Sequence, residues 1–131
     1  EIETTVEHLG DLVLYINPPK PVLVRVAIPI SKDDGLHSTV AEDASQPIHF
    51  FFVELRNGGI KKFYSSSESF TLDKSAEIAA FLKNHRVNIL ISSLIRPLLY
   101  YNLRLNNIKV YPHFLEVKDV ENTVKLLLLD I

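Results

Sequence analysis

Two stretches of this chain bring together side chains that can do chemistry. The first is "SSLIRP", Ser92 to Pro97, which follows the apolar run "NILI". Where a strand hands over to a helix, free backbone N–H groups point outward. With the Ser92 and Ser93 hydroxyls and the Arg96 guanidinium they can hold a small anion or phosphate. The same residues have a plain structural use, in which the serines cap the turn and Arg96 pairs with a surface acid. Ligand-binding helix N-termini usually carry glycine, and this one has none, which favours the structural use. The second stretch is the polar loop Ser31–Gln46, where Asp33, Asp34, His37, Glu42 and Asp43 gather. Oxygen ligands with one imidazole suit a divalent cation. The spacing matches no EF-hand or zinc pattern, and solvated loops are commonly acidic.

The five histidines are His8, His37, His49, His85 and His113. None forms the i, i+4 pair of a helical metal site. His49 alternates with apolar residues in a strand, and His85 lies near a helix C-terminus, where a cation is favoured. His37 and His113 are the two to compare for proximity. There is no cysteine, which removes thiolate metal sites, disulfides and a cysteine nucleophile. No nucleophile elbow, P-loop or dinucleotide fingerprint is present. The expected activity is binding without catalysis.

These residues must be positioned by strands and helices. "VLVRVAIPI" (Val22 to Ile30) is a nearly continuous β-branched run, the mark of a strand buried on both faces. "IHFFFVEL" (Ile48 to Leu55) and "IKKFYSS" (Ile60 to Ser66) read as two more strands joined by "RNGG", whose Asn and Gly tolerate positive φ. Neighbouring Phe50, Phe51 and Phe52 then point to opposite faces, so they pack under helices and offer no base-stacking platform. A helix follows, with Thr71 as its cap and Leu72, Ala76, Ile78, Ala79 and Leu82 on one side. "VNILIS" is the next strand. Pro97 opens a second helix that ends near Asn106 and Asn107. "IKVY" is a short strand, and Val117, Val120, Val124, Leu127 and Leu128 form the apolar face of a last helix. Strands joined by short turns pair antiparallel, and strands joined through helices run parallel by right-handed crossovers. The expected architecture is α/β, a mixed sheet of about five strands with helices on its faces.

The chain has 131 residues, enough for one sizeable core. Hydrophobic residues are 47% and charged residues 23%, as in an ordinary globular protein. Glu1 opens the chain and methionine is absent, which reads as a trimmed fragment without a secretory signal. No apolar run is long enough to span a membrane. The formal charge is −2, and it is unevenly spread, with Glu1, Glu3, Glu7 and Asp11 set against Lys20 alone before Pro21. A near-neutral body offers no general attraction to nucleic acid. Residues 1–21 read as an arm, with a short strand "LVLYI" and the stiff connector "NPPKP". Such an arm can add to an open sheet edge, its own or that of a second copy in a homodimer.

"VRVAIPISKDDGLHSTVAED", "FFFVELRNGGIKKF", "FLKNHRVNILISSLIRP" and "NNIKVY" together resemble the dinitrogenase iron–molybdenum cofactor biosynthesis family, that of NifX and NafY. The resemblance covers about residues 22 to 128 and makes 22–131 the family-like domain. It implies a ribonuclease H-like three-layer fold and a cytoplasmic carrier of iron–sulfur or iron–molybdenum clusters. The chain reads "EDASQP" where the family has "EHFGRA", and "SLIRP" where it has "GGIGP". Glycines there let a backbone approach a bulky cluster, and side chains narrow that approach. By the resemblance, Asp34, Gly35, Glu42, Asp43, Ser92, Ser93 and Arg96 would line the binding site. His37 and Asp43 would hold a metal, and the altered site would take a small anion or metal in place of the cluster. The pocket is expected between the Ser31–Gln46 loop and the Ser92–Pro97 turn.

Overall fold

A computed structural model describes residues 23–42, 46–113 and 117–130. The arm at 1–21 and Asp43 lie outside the described residues. Strand β1 (Leu23–Lys32) runs through the middle of the sheet, and Val26, Ala27, Ile28 and Ile30 are fully buried. The two-residue β2 (Thr39–Val40) pairs with the end of β1. It is the addition to the expected five strands, too short to show a period. Strands β3 (Ile48–Arg56) and β4 (Gly59–Phe70) form an antiparallel hairpin. Its turn is Asn57 at φ 54° and Gly58 at φ 77°. Two positive φ values in succession are what a twisted two-residue hairpin demands, hence Asn-Gly. Strands β5 (Ile89–Ile91) and β6 (Lys109–Tyr111) complete the sheet in the order β4-β3-β1-β5-β6. The β1–β3 and β3–β4 pairs are antiparallel, and β1–β5 and β5–β6 are parallel.

Alternation along the strands sorts two cores. Ala27, Phe50, Phe52 and Leu90 face helices α1 (Ser75–Asn84) and α2 (Pro97–Leu105), which contribute Ile78, Leu82, Leu99 and Leu103. Val26, Ile28, Phe51, Val53 and Ile89 face helix α3 (Val120–Asp130), which contributes Val120, Val124 and Leu127. The result is a three-layer α/β fold with a mixed sheet in the middle. No helix among the described residues is long and apolar enough to cross a membrane.

Three local expectations change. Strand β4 runs on to Phe70, because its last residue pairs with Ile48 at the start of β3. Its tail "SSSES" edges the sheet and shows no apolar alternation. Helix α1 starts at Ser75, and Lys74 stands at its cap without a side-chain bond. Thr71 instead closes a turn, accepting the Lys74 N–H at its carbonyl and donating its hydroxyl to Asp73. Ala76 is exposed, since the later start rotates the buried face onto Ser75, Ile78, Ala79 and Leu82. Val117 precedes α3, whose buried face begins at Val120.

Candidate functional site

The loop after β1 is a compact knot built around Ser38, which is fully buried. The Ser38 hydroxyl donates to the Gly35 carbonyl at 2.6 Å and accepts the Asp34 N–H at 2.7 Å. His37 N–H donates to the Asp34 carbonyl at 3.0 Å, and Gly35 takes φ +58° to let the turn close. Asp33 receives the Ser65 hydroxyl at 2.6 Å and the Gly35 N–H at 3.3 Å. The Ser65 hydroxyl first, then the Gly35 amide, hold the Asp33 carboxyl below the usual carboxylate range.

This knot is fastened to the start of α3. Val120 N–H donates to the Ser38 carbonyl and Glu121 N–H to the Leu36 carbonyl, both at 3.0 Å, and Val40 N–H reaches the Lys118 carbonyl at 2.9 Å. Three bonds between distant parts of the chain bring His37 to Asp119 and Glu121. One ligand-type atom from each of these lies within 4.8 Å of the others. His37 is exposed and the two acids are half-buried. Asp119 Oδ1 accepts the Asn122 amide at 2.8 Å, and Glu121 faces Lys125 at 3.8 Å.

A second group lies beside it. Glu42 pairs with Lys118 Nζ at 3.0 Å and faces His113 Nδ1 at 3.8 Å. The His113 side chain is wholly buried. Its Nε2 contacts the Val117 carbonyl. A carbonyl only accepts, so Nε2 carries a proton, and in the neutral imidazole Nδ1 holds the lone pair. That Nδ1 has no hydrogen-bond partner among the described residues. His113 also lines a cavity of about 290 Å³, with Ile91, Tyr111, Val117 and Leu127. The cavity opens at the C-terminal ends of β5 and β6, against α3, the end of a parallel sheet where α/β proteins hold ligands.

The expected site residues therefore divide. Glu42 meets His113 and Lys118, while His37 joins a separate trio. Asp34 and Gly35 supply the backbone of the knot. Among the described residues, no hydrogen bond or ion pair carries Ser92, Ser93 or Arg96 to either group. Ser92 is buried; its N–H donates to the Tyr111 carbonyl at 3.0 Å and its Oγ accepts the Leu94 N–H at 2.9 Å. Its hydroxyl closes the turn, the structural use of the two considered. Ser93 and Arg96 are exposed, and Arg96 is the N-cap of α2 with extended φ and ψ and no side-chain cap bond. Asp73 lies low in pKa because of the Thr71 hydroxyl, with the charge of Arg96 a smaller contributor. Asp119, Glu121, Lys118 and Ser38 were not legible as site residues. Asp119 and Glu121 carry the signature of a helix start, an acid before an apolar period, but nothing local names the loop they meet.

No family model matches the chain, and no curated protein matches it at a significant level. The fold is similar to the crystal structure of PH0822, with a TM-score of 0.65 and 21% sequence identity, covering 82% of this chain and 92% of that one. At that identity the likeness concerns the fold.

Proposed function

We propose that this chain is a non-catalytic, cytoplasmic binding domain similar to the carriers of the dinitrogenase iron–molybdenum cofactor biosynthesis family, holding a metal cluster or its precursor as cargo at the C-terminal ends of β5 and β6. One observation carries the reading. His113 is among the residues lining the strand-end cavity; its Nε2–H is engaged by the Val117 carbonyl, and its Nδ1 is buried with no hydrogen-bond partner among the described residues. Metal-binding imidazoles are oriented in this way, one nitrogen fixed by a backbone carbonyl and the other left free. The donor set suits cargo better than a resident group. A resident iron–sulfur cluster is held by several thiolates, and the chain has no cysteine. One imidazole, with the Glu42 carboxylate nearby, suits a cluster that must also be released.

The test is anaerobic titration with an iron–sulfur cluster precursor, read by visible absorbance and iron analysis. Stoichiometric binding that is abolished by His113→Ala, with far-UV circular dichroism unchanged, supports the reading. A chain that gains no iron, or a variant that gains as much as the parent, refutes it.

A second reading, an assembly module using the N-terminal arm, is favoured by the outer edge of β4, against which no strand pairs among the described residues. Leu23 pairs with Arg56, and Arg56 with Gly59, so the arm joins the sheet at the end where β4 begins. Two strand spacings, roughly 10 Å, separate the two points. Deleting residues 1–21 and measuring mass by light scattering decides it: a dimer that becomes a folded monomer supports this reading, and an unchanged mass sinks it.

A further inference from the structure

We propose that His37, Asp119 and Glu121 form a binding site for one divalent first-row transition-metal ion of the Zn²⁺, Co²⁺ or Ni²⁺ class, separate from the His113 cavity. Asp119 and Glu121 by themselves would be an ordinary helix start, where acids complement the positive end of the helix dipole. The third donor changes the chemistry. His37 is not on the helix. It comes from the loop after β1, and the loop is held in register with α3 by the Glu121–Leu36, Val120–Ser38 and Val40–Lys118 backbone bonds. Backbone bonds fix the roots of the three side chains before any ion arrives, which lowers the ordering cost of binding.

The donor types select the metal. One imidazole nitrogen with two carboxylates neutralises a divalent charge. Nitrogen favours zinc, iron, cobalt and nickel over calcium and magnesium, which prefer oxygen alone. Thiolate-dependent centres are excluded by the absence of cysteine. Three protein ligands leave a position for water, the pattern of an open site. The span fits as well. An ion with ligands at about 2.0–2.2 Å keeps its tetrahedral donors roughly 3.3–3.6 Å apart, and the three atoms already lie within 4.8 Å of one another. Rotamer changes of the exposed His37 and the two half-buried acids are the movements available to close the difference. The competing partners are weak: Lys125 sits 3.8 Å from Glu121 in a surface i, i+4 pair. The Asn122 amide bonds one oxygen of Asp119, and the other has no hydrogen bond among the described residues.

This inference does not rest on the carrier reading, because the trio and the cavity use different imidazoles. The experiment is isothermal titration of the full chain with ZnCl₂ near neutral pH and without any cluster, repeated with CoCl₂ while following the visible d–d spectrum. One ion per chain is expected, with a tetrahedral or five-coordinate cobalt spectrum. His37→Ala, Glu121→Gln and Asp119→Asn should each weaken zinc binding about tenfold or more, as loss of one of three ligands demands. Asn matches Asp in size and keeps a side-chain oxygen to accept the Asn122 amide, so the last variant should remain folded. His113→Ala should leave zinc affinity unchanged, and excess Ca²⁺ or Mg²⁺ should not displace zinc. No saturable one-to-one binding, or His37→Ala binding zinc as the parent does, overturns the site. Zinc binding lost with His113→Ala and kept with His37→Ala would move the metal to the cavity and equally overturn it.

Discussion

Replacing Ser38 with Ala tests whether the loop after β1 is a preformed support or an incidental turn. The residue is fully buried, and its hydroxyl ties the Gly35 carbonyl at 2.6 Å to the Asp34 N–H at 2.7 Å. In the alanine variant the Gly35 carbonyl keeps the Ser38 N–H at 3.0 Å, but the Asp34 N–H loses its acceptor. A lost hydrogen bond costs about 0.5–1.5 kcal/mol, and leaving the part-buried Asp34 N–H without its acceptor adds the low end of the range, about 1–3 kcal/mol, that an unsatisfied buried group costs. The expected destabilisation is about 2 kcal/mol. For a small domain the urea slope is about 1–3 kcal/mol per M, so the unfolding midpoint should fall by about 1 M with the slope unchanged. Because His37 is anchored to the same knot, zinc affinity should fall about tenfold, the equivalent of 1.4 kcal/mol of reordering. Ser69→Ala, on the exposed edge of β4, serves as the control and should stay within about 0.5 kcal/mol of the parent. A Ser38→Ala midpoint indistinguishable from the parent, with the same zinc affinity, would refute the argument that this hydroxyl organises the loop.

Other outcomes follow from the same geometry. Glu54 is buried and pairs with Arg25, whose guanidinium also donates to the His85 carbonyl at 2.6 Å. Glu54→Ala should cost about 3 kcal/mol by stranding that charge, and Arg25→Met with Glu54→Leu should recover most of it, both measured by urea unfolding. Phe52 has no exposure and stacks on Tyr64 and His85 with centroids 5.0 and 4.7 Å away. Phe52→Ala should therefore cost about 3–5 kcal/mol, with a matching fall in melting temperature. Asp33 should titrate below its ordinary 3.8, and Ser65→Ala should raise that midpoint in a carboxyl NMR titration. Since the folded pKa is the lower one, the Asp33 contribution is whole above the ordinary value and is lost as pH falls through the folded pKa. An Asp33 midpoint at or above 3.8 in the folded protein would contradict the Ser65 bond.

The strands that carry the core were legible because burial leaves a local mark. The β-branched run of β1 and the phenylalanines of β3 form nearly continuous hydrophobic stretches, as strands covered on both faces must. The last helix was legible for a similar reason: Val120, Val124 and Leu127 keep helical spacing because they touch one sheet face. Where a segment meets solvent the mark fades. The tail of β4 is a strand by virtue of pairing with β3, so a stretch of serines gave no warning of it. Helix α1 opened later than Thr71 promised, because Thr71 and Asp73 bonded to each other and left Lys74 at the cap.

By itself the sequence settled the layers of this protein, since amphipathic period and turn chemistry act within a few residues. It also settled the absence of thiol chemistry. The candidate sites belong to the tertiary structure. His37 was visible as a possible metal ligand, whereas Asp119 and Glu121 were not singled out as site residues by any local pattern. That they stand together depends on three backbone bonds between the loop after β1 and α3. Likewise, which nitrogen of His113 carries a proton depends on Val117 offering its carbonyl to Nε2. Side-chain types are written in the chain, but a binding site is a set of distances. Those are set by how the sheet orders its strands and where α3 lands on it.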